Sequence, residues 1–301
     1  MNIVITGSLG NISRRLTEKL TAKGHLVTVV SQNPERITAI RALNATPAIG
    51  SVEDPDFLIR TFNGADAVYT MLPPNFHTPD LREFMRKVGR NYAKAIATAG
   101  IRHVVNLSGL GAHLPDGPAL AGAYYDVENY LDQVQGLHTL HLRPSMFYTN
   151  FYDSAELIKQ QHIIGHNFEG TVTIPLTHPH DIADVAAEHL HTLSFTGKNA
   201  RYVVSDEKNG HQIARILGEA IGKPTLPWIT FTNEQLIGGM MQKGLSEDLA
   251  SSYVAIGVAL QEGSILSHYR QTQPEGPKGI PFADFAKEFA AVYKKQEQTF
   301  A

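Results

Sequence analysis

The chain contains no cysteine, which excludes disulfides, thiol nucleophiles and thiolate metal sites in one step. It also lacks an excess of positive charge: 26 basic residues stand against 29 acidic ones, a net charge of −3. Without a basic field to neutralise phosphates, a nucleic-acid partner is not expected. No run of about 18 apolar residues is present to span a bilayer. Met1 opens directly on a strand, without the charged leader and apolar core of a signal peptide. A soluble, cytoplasmic protein with no membrane partner is the expectation.

What the chain has is room for a core. At 301 residues and 43% hydrophobic it can bury one sizeable core and a smaller satellite. Its opening is the most informative stretch. The apolar strand Asn2-Ile3-Val4-Ile5 leads into Gly7-Ser8-Leu9-Gly10-Asn11-Ile12-Ser13, then an amphipathic segment with Ile12, Leu16 and Leu20 on one stripe, then Leu26-Val27-Thr28-Val29-Val30. That order is a βαβ unit. Such a turn leaves backbone N–H groups uncovered at a helix N-terminus, where the helix dipole favours a pyrophosphate. The spacing Gly7-x-x-Gly10-x-x-Ser13 departs from the strict G-x-G-x-x-G pattern. Ser13 stands where a third small residue lets helix and strand pack closely. By itself the turn reads either as a dinucleotide site or as a tight βα connection.

Strands and helices keep alternating. Asn33-Pro34-Glu35 and Asp54-Pro55 each place an N-cap before a proline at the first helical position. Thr46 to Ile49, Ala65 to Met71, Arg102 to Leu107 and Leu137 to Leu142 read as strands three to six, and Asp80 to Ala99 and Ala119 to Gln135 as long helices. The fold class is therefore α/β, a Rossmann-like doubly wound parallel sheet with a smaller α+β C-terminal substrate domain. Ligands of such sheets sit at the C-terminal strand ends. Those ends are Gly7 to Gly10, Ser31-Gln32-Asn33, Met71-Leu72-Pro73-Pro74, Leu107-Ser108-Gly109 and Arg143-Pro144-Ser145-Met146-Phe147. Ser108 has no Gly-x-Ser-x-Gly elbow around it, so it reads as lining the cofactor cleft and not as a hydrolytic nucleophile.

The chain resembles the NmrA-like branch of the atypical short-chain dehydrogenase/reductase superfamily. The resemblance rests on Thr6 to Ser13, Asn33-Pro34-Glu35-Arg36, Leu107-Ser108, Leu142-Arg143-Pro144 with Phe147 and Asn150, Asp181 to Ala186 and Pro281 to Lys287, and covers nearly the whole chain. It implies a nicotinamide dinucleotide held by Gly7, Ser8, Leu9, Gly10, Asn11, Ile12, Arg14, Ser31, Gln32, Asn33, Arg36, Met71, Leu72, Pro73, Leu107, Ser108, Pro144 and Phe147. Members include quinone and triphenylmethane dye reductases and non-catalytic redox-sensing regulators. Two functions follow as expectations: hydride transfer from NAD(P)H to a small apolar or aromatic acceptor such as a quinone, or redox sensing through a protein partner.

Two departures from the wider superfamily bear on these expectations. No Tyr-x-x-x-Lys pair exists, although alcohol-oxidising members use that tyrosine as acid/base. Tyr124 and Tyr125 are followed at that spacing by Glu128 and Asn129. Glu128 with Leu131 matches a Glu-x-x-Leu step of the family and puts Tyr124 where relatives carry Lys or His, so Tyr124 faces either the nicotinamide pocket or the sheet. At the end of the second strand stands Ser31-Gln32, where NADP-preferring relatives have arginine and NAD-preferring folds an acidic residue. Arg14 and Arg36 remain as partners for a 2′-phosphate, so NADP(H) is slightly favoured over NAD(H).

Fourteen histidines raise the question of a metal. His162 and His166 lie four apart, and His178-Pro179-His180-Asp181 sets two imidazoles beside a carboxylate, but Asp181 fits better as the cap of a helix running to Leu193, and no metal site is expected. His138 and His141 flank a buried strand as edge or surface residues.

The dinucleotide-binding domain is expected over 1–150 with about 178–206. A discontinuous lid is expected over about 151–177 and 207–301, containing a helix at Phe151 to Lys159 and paired strands within Gly165 to Leu176. A homodimer is left open.

Overall fold

A computed structural model describes residues 1–73, 75, 78, 80–272 and 276–298; Pro74 lies outside the described residues. The elements run β1 (Asn2–Ile5), α1 (Ser13–Ala22), β2 (Leu26–Ser31), α2 (Ile37–Arg41), β3 (Thr46–Ile49), α3 (Pro55–Phe62), β4 (Ala67–Thr70), α4 (Leu81–Ala99), β5 (His103–Leu107), α5 (Ala119–Asp132) and β6 (His138–Pro144). There follow β7 (Met146–Phe147), α6 (Ala155–Gln161), β8 (Ile164–His166), β9 (Thr173–Thr177), α7 (Pro179–Thr192), β10 (Lys198–Val203), β11 (Asp206–Asn209), α8 (Gly210–Ala220), β12 (Trp228–Thr230), α9 (Asn233–Gln242), α10 (Glu247–Glu262), α11 (Ser267–Thr272) and α12 (Phe282–Gln298). The chain divides into two units, Met1–Arg143 with Ile182–Tyr202, and Pro144–Asp181 with Val203–Ala301.

The first unit carries the expected Rossmann-like sheet, in the order β10-β6-β5-β4-β1-β2-β3. From β1 the chain steps outward to β2 and β3, then crosses back to β4 on the other side of β1. The reversal makes the C-terminal ends of β1 and β4 the topological switch point, where ligands of open α/β sheets bind. One face of this sheet buries Val4, Val30, Val68 and Val104 against Leu58 and Phe62 of α3, Val88, Tyr92 and Ile96 of α4, and Val127 and Leu131 of α5. Gly89 lets α4 and α5 approach closely, because a Cβ there would come within 2.7 Å of Val127. Asn33, Asp54 and Asp80 cap their helices as the proline and spacing signals require.

In the second unit, β11, β9 and β7 form a three-stranded sheet, and β12 pairs with β8 in parallel. Its aromatic core joins Tyr148, Phe151, Phe282, Phe285 and Phe289, and the Tyr148 hydroxyl donates to Ile280 O at 2.7 Å.

The structure departs from several sequence expectations. The strands within 165–176 do not pair with each other: β8 finds β12, and β9 finds β7 and β11. The helix expected from Phe151 begins as a 3₁₀ turn over Tyr148–Ser154. Asp181 does not cap α7, which already starts at Pro179; its Oδ2 instead accepts from Ser205 Oγ and, at 2.9 Å, from Ile280 N. His141 is not at an edge or surface. It is only 1% exposed, inside β6, which lies between β5 and β10.

Candidate functional site

At the β1–α1 turn the two glycines serve different ends. A Cβ on Gly7 would lie 1.9 Å from Ser13 Oγ, whereas one on Gly10 would meet only Gly7 O at 3.5 Å. Gly7 is thus required by packing against buried Ser13, and Gly10 leaves the turn open. The left-handed residue of this turn is Ser8, with φ of 50°. Its amide donates to Val30 O at 3.0 Å and its hydroxyl to Ser31 Oγ at 3.0 Å. These bonds tie the turn to the end of β2. Helix α1, like α2 and α5, has no side-chain cap and no acidic residue in its first turn, whereas α3, α4, α8, α9 and α10 are capped by Asp54, Asp80, Asn209, Thr232 and Ser246. An uncapped helix start with an open glycine in front of it suits an anion. Leu9, Asn11 and Ile12 complete the loop.

At the end of β2, Ser31 is buried and holds Asn33 through bonds in both directions. Gln32 is exposed and donates from Nε2 to Ser51 Oγ at 2.8 Å. Arg14 pairs with Glu18 at 3.2 Å on the surface. Arg36 is exposed and makes no ion pair among the described residues. At the end of β4, Met71 N donates to Thr6 Oγ1 at 3.0 Å, and the buried Tyr92 hydroxyl donates to Met71 O at 2.7 Å. Burial raises the Tyr92 phenol above its ordinary range. Leu72 packs on the apolar core, and Pro73 is half-buried. Pro144 and Phe147 belong to the second unit, at the end of β6 and in β7.

The end of β5 carries the strongest electrostatic feature. Leu107 closes the strand; Ser108, 2% exposed, donates its hydroxyl to Glu128 Oε1 at 2.5 Å. Arg143 forks onto the same carboxylate, Nε to Oε1 at 2.9 Å and a terminal nitrogen to Oε2 at 2.5 Å. Burial alone would lower the guanidinium's pKa, but the hydrogen bonds and charge of Glu128 outweigh it and the net shift is upward. The guanidinium also lies 5.8 Å from the Tyr202 ring centroid. Tyr124 packs its ring over Gly109, where a Cβ would fall 2.5 Å from it; α5 therefore brings Tyr124 to the residue following Ser108.

Neither this buried ion pair nor a second polar chain is part of the sequence expectation. In that chain Thr70 Oγ1 donates to Asn106 Oδ1 at 2.9 Å and Asn106 Nδ2 to His141 Nδ1 at 3.1 Å, while His141 Nε2 reaches Asp132 Oδ1 at 3.0 Å. A signal for both exists: Arg143 and His141 alternate with Leu140 and Leu142 in a strand between two others, where a buried charge or imidazole must find a partner.

Residues 7–192 match the model of a family described as NAD(P)H-binding, and the chain belongs to that family. A relative from Streptomyces griseus, the (4-alkanoyl-5-oxo-2,5-dihydrofuran-3-yl)methyl phosphate reductase, is 26% identical over 226 residues, 73% of this chain and 75% of that protein. Solved structures of similar fold include the following three. The Escherichia coli NADPH-dependent quinone oxidoreductase complexed with NADPH has a TM-score of 0.79 at 18% identity, covering 95% of this chain and 99% of the other. The Citrobacter triphenylmethane reductase complexed with NADP(H) gives 0.80 at 19%, covering 95% and 99%. The negative transcriptional regulator NmrA with NADP gives 0.73 at 17%, covering 100% and 97%.

Proposed function

We propose that the chain is an NAD(P)H-dependent reductase that passes hydride to a small, apolar, conjugated acceptor such as a quinone. The carrying observation is the state of Ser108 and Glu128. The serine proton is committed to Glu128, and both carboxylate oxygens are occupied by Arg143 and Ser108. Reduction of an isolated ketone leaves a localised alkoxide and profits from a protein acid by about 10²–10⁴-fold. A conjugated acceptor spreads the incoming electron pair over its π-system, and water can supply the proton afterwards. The reductase relatives support this reading: a quinone, a triphenylmethane dye and a 5-oxo-2,5-dihydrofuran are all conjugated acceptors. Reduced nicotinamide supplies the hydride. The chain's own part is to hold pyrophosphate at the α1 N-terminus and to order Met71 through Thr6 and Tyr92.

The test follows loss of reduced-nicotinamide absorbance across a panel of quinones, dyes, enones and isolated ketones. Turnover is expected with a conjugated member, at least about 100-fold faster than with any isolated ketone. No turnover across the panel, together with clearly different dissociation constants for reduced and oxidised cofactor, would replace this reading by a redox-sensing regulator.

NADP(H) is the favoured cofactor, with exposed Arg36 as a partner for the 2′-phosphate. Because Gln32 carries no charge, wild-type discrimination between NADPH and NADH should stay under about tenfold, and Gln32→Arg should raise it by about tenfold, since a guanidinium pairs with phosphate. Calorimetric titration of both cofactors against both proteins decides this. A strong wild-type preference for NADH would overturn the role given to Arg36.

A further inference from the structure

The Ser108 hydroxyl is held in a single orientation. Its O–H donates to Glu128 Oε1 across 2.5 Å, and its own amide donates to Leu142 O at 2.8 Å, so neither backbone nor side chain is free to turn. Glu128 cannot swing away either, because Arg143 grips both of its oxygens and all three residues are buried. A charge-assisted bond to a carboxylate in a desolvated setting is short and strong. Among the described residues nothing donates to Ser108 Oγ, so the hydrogen-bonding capacity left on it is lone pairs only. A hydroxyl in this state accepts a hydrogen bond and does not give one.

We propose that Glu128 and Arg143 are positioning residues that fix Ser108 Oγ as an obligate acceptor, and that this acceptor takes an N–H of the cofactor's carboxamide. The inference rests on the dinucleotide reading above. An acceptor-only oxygen does not select among ribose hydroxyls, each of which can donate or accept. It does select the carboxamide –NH₂, an obligate donor, over a group of the same shape without N–H. Anchoring that substituent fixes the plane of the nicotinamide ring to which it is attached.

The experiment compares NADP⁺ with its 3-acetylpyridine analogue, in which a methyl replaces the carboxamide –NH₂, by calorimetric titration of the complete chain. Wild type should bind the analogue about tenfold more weakly, the worth of one hydrogen bond to a buried acceptor. Ser108→Ala should bind both equally, near the wild-type constant for the analogue. The paired replacement Glu128→Leu with Arg143→Met leaves no orphaned charge and frees the hydroxyl to donate to the acetyl oxygen, so discrimination should fall below about threefold. Equal wild-type affinities, or discrimination that survives in Ser108→Ala, would overturn the proposal while leaving dinucleotide binding intact. Failure of wild type to bind either compound would overturn the dinucleotide reading itself.

Discussion

Arg143→Met alone should lower stability by about 3–5 kcal/mol, a fall in Tm on the order of 10 °C, because it leaves Glu128 buried without its countercharge. Glu128 and Arg143 are 6% and 8% exposed, and water cannot take over from the missing partner. The paired replacement Glu128→Leu with Arg143→Met should cost far less than either single change, since breaking a buried pair is expensive whereas replacing the whole pair with apolar residues of similar volume is often close to neutral. The surface pair of Arg14 and Glu18 sets the contrast. With side chains 63% and 47% exposed, its loss should change stability by no more than about 0.5 kcal/mol. Thermal melts of the two single variants and the double variant give the coupling directly. Additive losses would mean that the fork of hydrogen bonds contributes nothing beyond its separate halves.

The first half of the fold is legible because its signals are local. A strand, a glycine turn and an amphipathic helix within thirty residues define β1, α1 and β2, and Asn33-Pro34 and Asp54-Pro55 mark two further starts with the capping bonds they imply. Nothing local marks the pairings of the second unit. β8 and β12 are joined through Ile164 and Trp228, and β9 reaches β11 past both α7 and β10. Proximity in sequence favours a hairpin between the strands of 165–176, but the intervening chain carries no two-residue turn of the kind that would pin one. Asp181 shows the same limit at the level of one side chain: its position before an apolar helical pattern looks like a cap, yet the backbone starts α7 two residues earlier and Ser205 and Ile280 claim the carboxylate. In the candidate site, the strand-end residues Gly7, Ser31, Met71 and Ser108 follow from topology alone. The clamp of Glu128 and Arg143 does not, because it joins a helix face to a strand through a register that periodicity leaves open.

Gly10→Val should leave the fold intact and lower affinity for NADPH by more than about tenfold, roughly 1.4 kcal/mol. Gly10 does not have a positive φ, and a Cβ there would meet only Gly7 O, at the ordinary contact distance of 3.5 Å. The turn therefore has room for a Cβ at this position. A branched side chain would, however, stand before the N-terminus of α1, which has no side-chain cap and where phosphate oxygens must approach backbone N–H groups closely. Gly7→Ala provides the opposite control: its Cβ would fall 1.9 Å from Ser13 Oγ, so that variant should lose stability before it loses any contact with a ligand. Titration of NADPH fluorescence alongside a thermal melt separates the two effects. An unchanged dissociation constant in a folded Gly10→Val protein would show that the pyrophosphate does not lie over this turn, and the assignment of Gly7 to Ile12 as the cofactor cradle would fall with it.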